Sequence, residues 1–137
     1  MTAKLNPYLS FAGDAKQAME FYRSVLGGEL ELNTYGEAGD VSGPLAEKIM
    51  HAMLTTDRGF ALMASDAPPE TEFRPGTNFA ISISGEAEDA EALRGYWSAL
   101  AEGGQVQVPM EKQMWGDEFG MLTDKHGISW MIDISGV

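Results

Sequence analysis

Apolar residues recur at helical spacing in DAKQAMEFYRSVL, residues 14–26. Ala15, Ala18, Met19, Tyr22, Val25 and Leu26 fall on one face, which predicts an amphipathic helix. Asp14 stands at the N-cap position, and Gly27–Gly28 stop the helix. NPYLSF before it predicts a short strand. After it, ELELNTY alternates Glu29, Glu31 and Asn33 with Leu30, Leu32 and Thr34, the pattern of a half-buried strand. A Gly- and acid-rich loop, GEAGDVSGPLAEK, comes next. IMHAMLTTDRGFALMAS then predicts two strands joined by a turn at Asp57–Gly59. The order is β-α-β-β-β.

The same order returns in the second half. NFAISI predicts a strand. Residues 89–102 predict a helix with Leu93, Tyr96 or Trp97, and Leu100 on its buried face; Gly95 interrupts it and Gly103–Gly104 end it. QVQVPM predicts a strand that Pro109 closes, and EFGMLTDKHGISWMIDI predicts two strands around a turn at Asp124–Gly127. The final hairpins superpose at an offset of 68 residues, Gly59 on Gly127 and Leu62 on Trp130. The predicted fold is α+β, a single domain of two β-α-β-β-β modules, about 5–66 and 77–135, joined by a Pro-rich connection over 67–76. Two such modules would pair into a cupped mixed sheet around a pocket suited to a small molecule.

Composition narrows the function. The chain has 137 residues, 44% hydrophobic, enough for one domain with a core. Cysteine is absent, which removes disulfides, thiolate zinc sites and cysteine nucleophiles and fits a reducing, cytoplasmic setting. Net charge is -12, from 21 acidic and 9 basic residues, a balance that repels nucleic acid and anionic lipid. No apolar run is long enough to span a membrane, and MTAKLNPYLSF does not read as a signal peptide. HExxH, G-x-S-x-G, P-loop and dinucleotide fingerprints are absent, as is the larger α/β domain a methyltransferase would need.

Candidate chemistry centres on His51 in IMHAML, whose side chain shares a strand face with Met53. Its readings are a polar group in a pocket wall, a metal ligand in a non-standard set, or a packed histidine. Tyr8 offers a hydroxyl on a strand near the expected pocket. Trp115, in the loop EKQMWGDEFG, is placed to close over a ligand or to anchor the loop or a dimer contact. Met110, Met114 and Met121 would make the wall near it adaptable. His126 sits in a turn, and Asp57 and Asp124 read as turn formers. Glu47, Glu111, Asp117 and Glu118 show no spacing that defines an acid–base pair.

The stretches NPYLSF, GDAKQAMEFYRSVLGGEL, MHAML, MASDAPP and FGMLTDKHGISWMI resemble the vicinal-oxygen-chelate superfamily. This is the fold of glyoxalase I, bleomycin-resistance proteins and extradiol dioxygenases, and within it the chain resembles the PhnB-like group. The resemblance implies tandem modules around a pocket, often in a homodimer, and in the superfamily's enzymes a divalent metal held by His and Glu on four strands. Aligned on the helix motif, those four positions fall on Pro7, His51, Asn78 and Met131. Only His51 is a good ligand, so no standard metal site and no cofactor are expected. The expected ligand contacts are His51, Asn78, Tyr8, Trp115 and Met131. The leading expectation is a small-molecule-binding protein of this fold. The alternatives are a divalent-metal-dependent lyase, isomerase or dioxygenase using His51, and sequestration of a cationic antibiotic. Whether the chain catalyses a reaction stays open.

Overall fold

The computed structural model describes residues 3–39, 43–68 and 71–137. The chain divides into two compact units, Met1–Arg74 and Pro75–Val137.

The first unit runs β1 (Tyr8–Phe11), α1 (Ala15–Leu26), β2 (Glu29–Thr34), a short helix α2 (Tyr35–Ala38), a 3-10 turn (Pro44–Glu47), β3 (Ile49–Thr55) and β4 (Ala61–Asp66). Its sheet has the order β1-β4-β3-β2, with β1 parallel to β4 and the other pairs antiparallel. A parallel pair cannot be joined by a hairpin, and α1 follows β1 as the crossover. Leu9, Phe11, Ile49, Ala52, Leu54, Leu62 and Ala64 are buried in the sheet, and Ala15, Ala18, Met19 and Tyr22 on α1. The alternate positions, Tyr8, Ser10, His51, Met53, Met63 and Ser65, form the more open face. The segment expected as loop holds α2 and the 3-10 turn; Asp40, Val41 and Ser42 lie outside the described residues.

Helix α1 starts where the sequence places it, but not by the expected device. Asp14 occupies the N-cap position and makes no side-chain cap. The buried carboxylate of Asp66, at the end of β4, takes that role. Its Oδ1 accepts from the backbone N–H of Gly13 and of Ala15, each at 2.9 Å, and its Oδ2 accepts from Ile49 N–H at 2.9 Å. One side chain thus satisfies a helix start and a strand start together.

The second unit repeats the topology with β5 (Ile81–Glu86), a 3-10 turn (Ala87–Asp89), α3 (Ala90–Ala101), β6 (Gln105–Lys112), β7 (Glu118–Thr123) and β8 (Ser129–Ser135), in the order β5-β8-β7-β6. Two boundaries differ from expectation. β5 starts at Ile81, so Asn78 lies in an exposed bend before the strand. β6 continues through Pro109 to Lys112, because it is an edge strand whose register shifts between Val108 and Glu111. A bulge on an edge tolerates the missing N–H. Leu93 and Leu100 are buried as expected, while Tyr96 and Trp97 are both half-buried. Trp97 lies over Gly120: a Cβ there would come within 2.6 Å of Trp97 Cη2. Of the proline-rich connection, Pro69 and Glu70 lie outside the described residues.

Candidate functional site

Tyr8 and His51 meet on the open face of the first sheet. β4 lies between their strands, so the two side chains reach across it. Tyr8 Oη is 3.4 Å from His51 Nδ1, and the ring centroids are 5.9 Å apart at 32°. The phenol and the imidazole orient each other, and the second ring nitrogen stays available to a ligand. Met63 is the register partner of both Tyr8 and Met53, and Asn33 stands opposite His51. The face therefore combines hydrogen-bonding groups with polarizable thioethers.

The second sheet presents a different set on its open face. Phe119 pairs with Asp133, and Met121 with Met131. Trp115, 60% exposed, packs edge-on against Phe119 at 5.7 Å. The loop that carries it is closed by Gln113 N–H donating to the Asp117 carbonyl at 2.8 Å and Gly116 N–H donating to the Gln113 carbonyl at 3.0 Å. Asp133 Oδ1 is buried without a hydrogen-bond partner. Burial, and then the neighbouring Asp117 carboxyl, raise the Asp133 pKa above the ordinary carboxylate value. Asp117 and Asp133 lie on different elements, so no local spacing pairs them, although the alternation in SWMIDIS sets Asp133 on the same face as Met131. Glu118 instead accepts from Arg94 Nε at 3.0 Å and Nη2 at 2.7 Å. That hydrogen bonding lowers the Glu118 pKa and raises that of Arg94.

Asp124 does more than form a turn. It is 4% exposed, and its Oδ1 accepts from His126 N–H at 2.7 Å and Ile128 N–H at 3.2 Å. Its Oδ2 accepts from Trp130 Nε1–H at 2.7 Å. His126 contributes its backbone to that turn.

The residues at the four metal positions do not fit a hard divalent ion. Pro7 has no side-chain donor, and its carbonyl accepts from Met63 N–H at 3.0 Å. Asn78 sits in the bend outside the sheet, and Met131 offers a thioether. His51 remains, beside Tyr8. Among the described residues, no three His, Asp or Glu side chains group so as to hold a metal ion.

Two four-stranded mixed sheets, each with a parallel strand pair and a single crossover helix, define a glyoxalase/bleomycin-resistance type of fold. A glyoxylase/bleomycin resistance protein/dioxygenase domain from Frankia sp. EAN1pec shares it, with a TM-score of 0.65 at 15% identity over 99% of this chain and 94% of that one. That likeness concerns the fold alone. The family model described as 3-demethylubiquinone-9 3-methyltransferase matches residues 3–133, and the chain belongs to this PhnB-like family. Protein PA1353 from Pseudomonas aeruginosa is 35% identical over 98% of both chains, with a TM-score of 0.85. The PhnB protein from Bacillus cereus is 26% identical over 97% of this chain and 100% of its own, with a TM-score of 0.73.

Proposed function

We propose that the protein binds a small organic molecule on the open face of its first sheet, with the Tyr8–His51 pair as the polar anchor. The carrying observation is that pair, at 3.4 Å on a half-open strand face that also carries the thioethers of Met53 and Met63 and the polar side chains of Asn33 and Glu31. Met53 and Met63 give an adaptable apolar wall there; the second sheet offers Trp115 and Met131 on its own open face, and Asn78 stands in the bend before β5. The cysteine-free composition suits a reducing, cytoplasmic setting, and the reading extends to a homodimer. A hard-metal-dependent reaction gains no support from Pro7, Asn78 and Met131.

Protein isolated from bacterial cytosol, denatured and extracted for mass spectrometry, should release one organic species near one per chain. His51→Ala and Tyr8→Phe should each weaken its rebinding about tenfold, the loss of roughly one good hydrogen bond. A wild-type extract without such a species, or variants that rebind it equally, would reject the reading.

The Asp133–Asp117 pair beside the exposed Trp115 favours a second reading, recognition of an organic cation such as a basic antibiotic. Titration calorimetry with bleomycin decides it: no heat at millimolar ligand argues against this version.

A further inference from the structure

On the open face of the first sheet, the residues of the binding reading also include donor atoms suited to a different kind of ligand. Met53 and Met63 are direct cross-strand partners on β3 and β4, which places their Cβ atoms ~4.5–5.5 Å apart. His51 lies two residues before Met53 on the same face. Tyr8 pairs with Met63 across β1 and touches His51. Glu31 stands opposite Met53 and adds negative charge nearby. His51, Met53 and Met63 are each half-buried. Thioether sulfur is a poor ligand for hard divalent ions and a good one for Cu(I). The feature that spoils the divalent site, methionine where carboxylate or imidazole is needed, is what a soft ion requires.

The second sheet supplies an internal control. Met121 and Met131 repeat the thioether pair at the same 68-residue offset, again as direct partners. Phe119 stands there where the first sheet has His51. One sheet has two thioethers and an imidazole; the other has two thioethers and a phenyl ring.

We propose that His51, Met53 and Met63 form a three-coordinate site for a soft monovalent cation, Cu(I), for which Ag(I) is an air-stable surrogate. With Tyr8 Oη accepting from Nδ1–H, Nε2 would be the nitrogen that binds the ion, and the Tyr8 contact would hold the ring in place. The site needs no change in oxidation state and stands whether or not an organic molecule uses the same face.

Full-length protein titrated anaerobically into the Cu(I)–bicinchoninate chromophore should withdraw one Cu(I) per chain. The Met53→Leu/Met63→Leu double variant, nearly volume-conserving, should weaken uptake on the order of tenfold or more, and His51→Ala similarly. Met121→Leu/Met131→Leu should leave stoichiometry and affinity unchanged. Thermal melts establish that each variant is folded. Independently of any variant, Ag(I) added to protein with 13C-labelled methionine methyl groups should shift the Met53 and Met63 signals and leave Met121 and Met131 in place. No withdrawal of copper by the wild type, equal loss in both double variants, or silver shifts confined to Met121 and Met131 would each overturn the proposal.

Discussion

Asp66 and Ile134 hold matching places at the ends of β4 and β8, 68 residues apart, and each unit opens its helix around that difference. In the first unit the strand supplies the cap: Asp66 reaches the N–H groups of Gly13, Ala15 and Ile49. In the second the cap is local. Glu86 and Asp89 form a reciprocal capping box around the 3-10 turn, and Glu86 N–H donates to Asp89 Oδ2 at 3.2 Å. Gly85 leaves the space, since a Cβ there would lie 2.9 Å from Asp89 Oδ2. With the helix start satisfied by its own residues, the strand is free to end its buried face with isoleucine. The same topology thus tolerates a charged or an apolar interior at one position, provided that the backbone donors are satisfied elsewhere.

Exchanging these residues should break the comparison most strongly. Asp66→Ile leaves three backbone donors without their acceptor and should cost about 3–5 kcal/mol. Ile134→Asp places a carboxylate where no donors wait and should cost a similar ~3–5 kcal/mol. Urea unfolding of both variants checks this. A loss under ~1 kcal/mol for Asp66→Ile would mean that water or a rearranged Asp14 replaces the cap.

The hairpin turns give a milder contrast. Thr56 and Asp124 correspond at the 68-residue offset, and each donates its backbone N–H to the carbonyl of the residue four further on. Thr56 Oγ1 adds one acceptor contact, to Phe60 N–H at 3.1 Å. Asp124 adds three, including the indole of the buried Trp130. The matching residue in the first unit is Leu62, which has no polar atom to satisfy. Asp124→Ala should therefore cost about 2–4 kcal/mol and Thr56→Ala about 1 kcal/mol. Trp130→Leu in the Asp124→Ala background separates the indole contribution in a double-mutant cycle.

Ala52 and Gly120 differ by one methyl group at matching sites. Gly120→Ala drives a Cβ toward Trp97 Cη2 at 2.6 Å and Met110 Cα at 3.1 Å. That overpacking should cost about 1–3 kcal/mol, and Trp97→Leu should relieve part of it. Ala52→Gly, by contrast, should cost only about 1 kcal/mol, through backbone entropy and a small lost contact. Thermal unfolding of the single and combined variants measures both.

Periodicity made the two modules legible because helix and strand periods depend on burial of one face, and both α1 and the β3–β4 hairpin show that pattern without long-range information. The duplicated turns were legible because Gly59 and Gly127 both have positive φ, a conformation that favours glycine. The Asp66 cap was not, because it joins positions 51 and 53 residues apart. No local pattern distinguishes Asp66 from a surface aspartate at a strand end. Pro109 misled for a related reason: a proline ends a central strand but not a bulged edge, and edge position is a property of sheet order. His51 and Tyr8 were visible as candidates by type and strand face. Their contact across β4 depends on β1 entering the sheet next to β4, which the order of elements alone does not state.

Ser65 and Asp133 are the final matched pair, both on the open face, and here the difference is one of charge. Asp133 is raised above its reference pKa of 3.8 by burial and by Asp117. The titratable neighbours on its side of the sheet are Asp117 before β7, Glu86 at the end of β5 and Glu111 on β6, all acidic. The sign follows from linkage: a carboxyl that holds its proton more tightly when folded stabilises the fold fully below the unfolded pKa, and that contribution is lost as pH rises through the folded value. Asp133→Asn removes this penalty. The variant should match the wild type near pH 4 and become the more stable of the two toward pH 8. Ser65→Asp, in the first sheet, should show a weaker trend because the residue that matches Asp117 at the 68-residue offset is Ile49, which carries no carboxyl. Melting temperatures of both variants across pH 4–8 measure the slopes. A pH-independent difference between Asp133→Asn and the wild type would show that the buried oxygen, rather than the charge pair, sets the cost of Asp133.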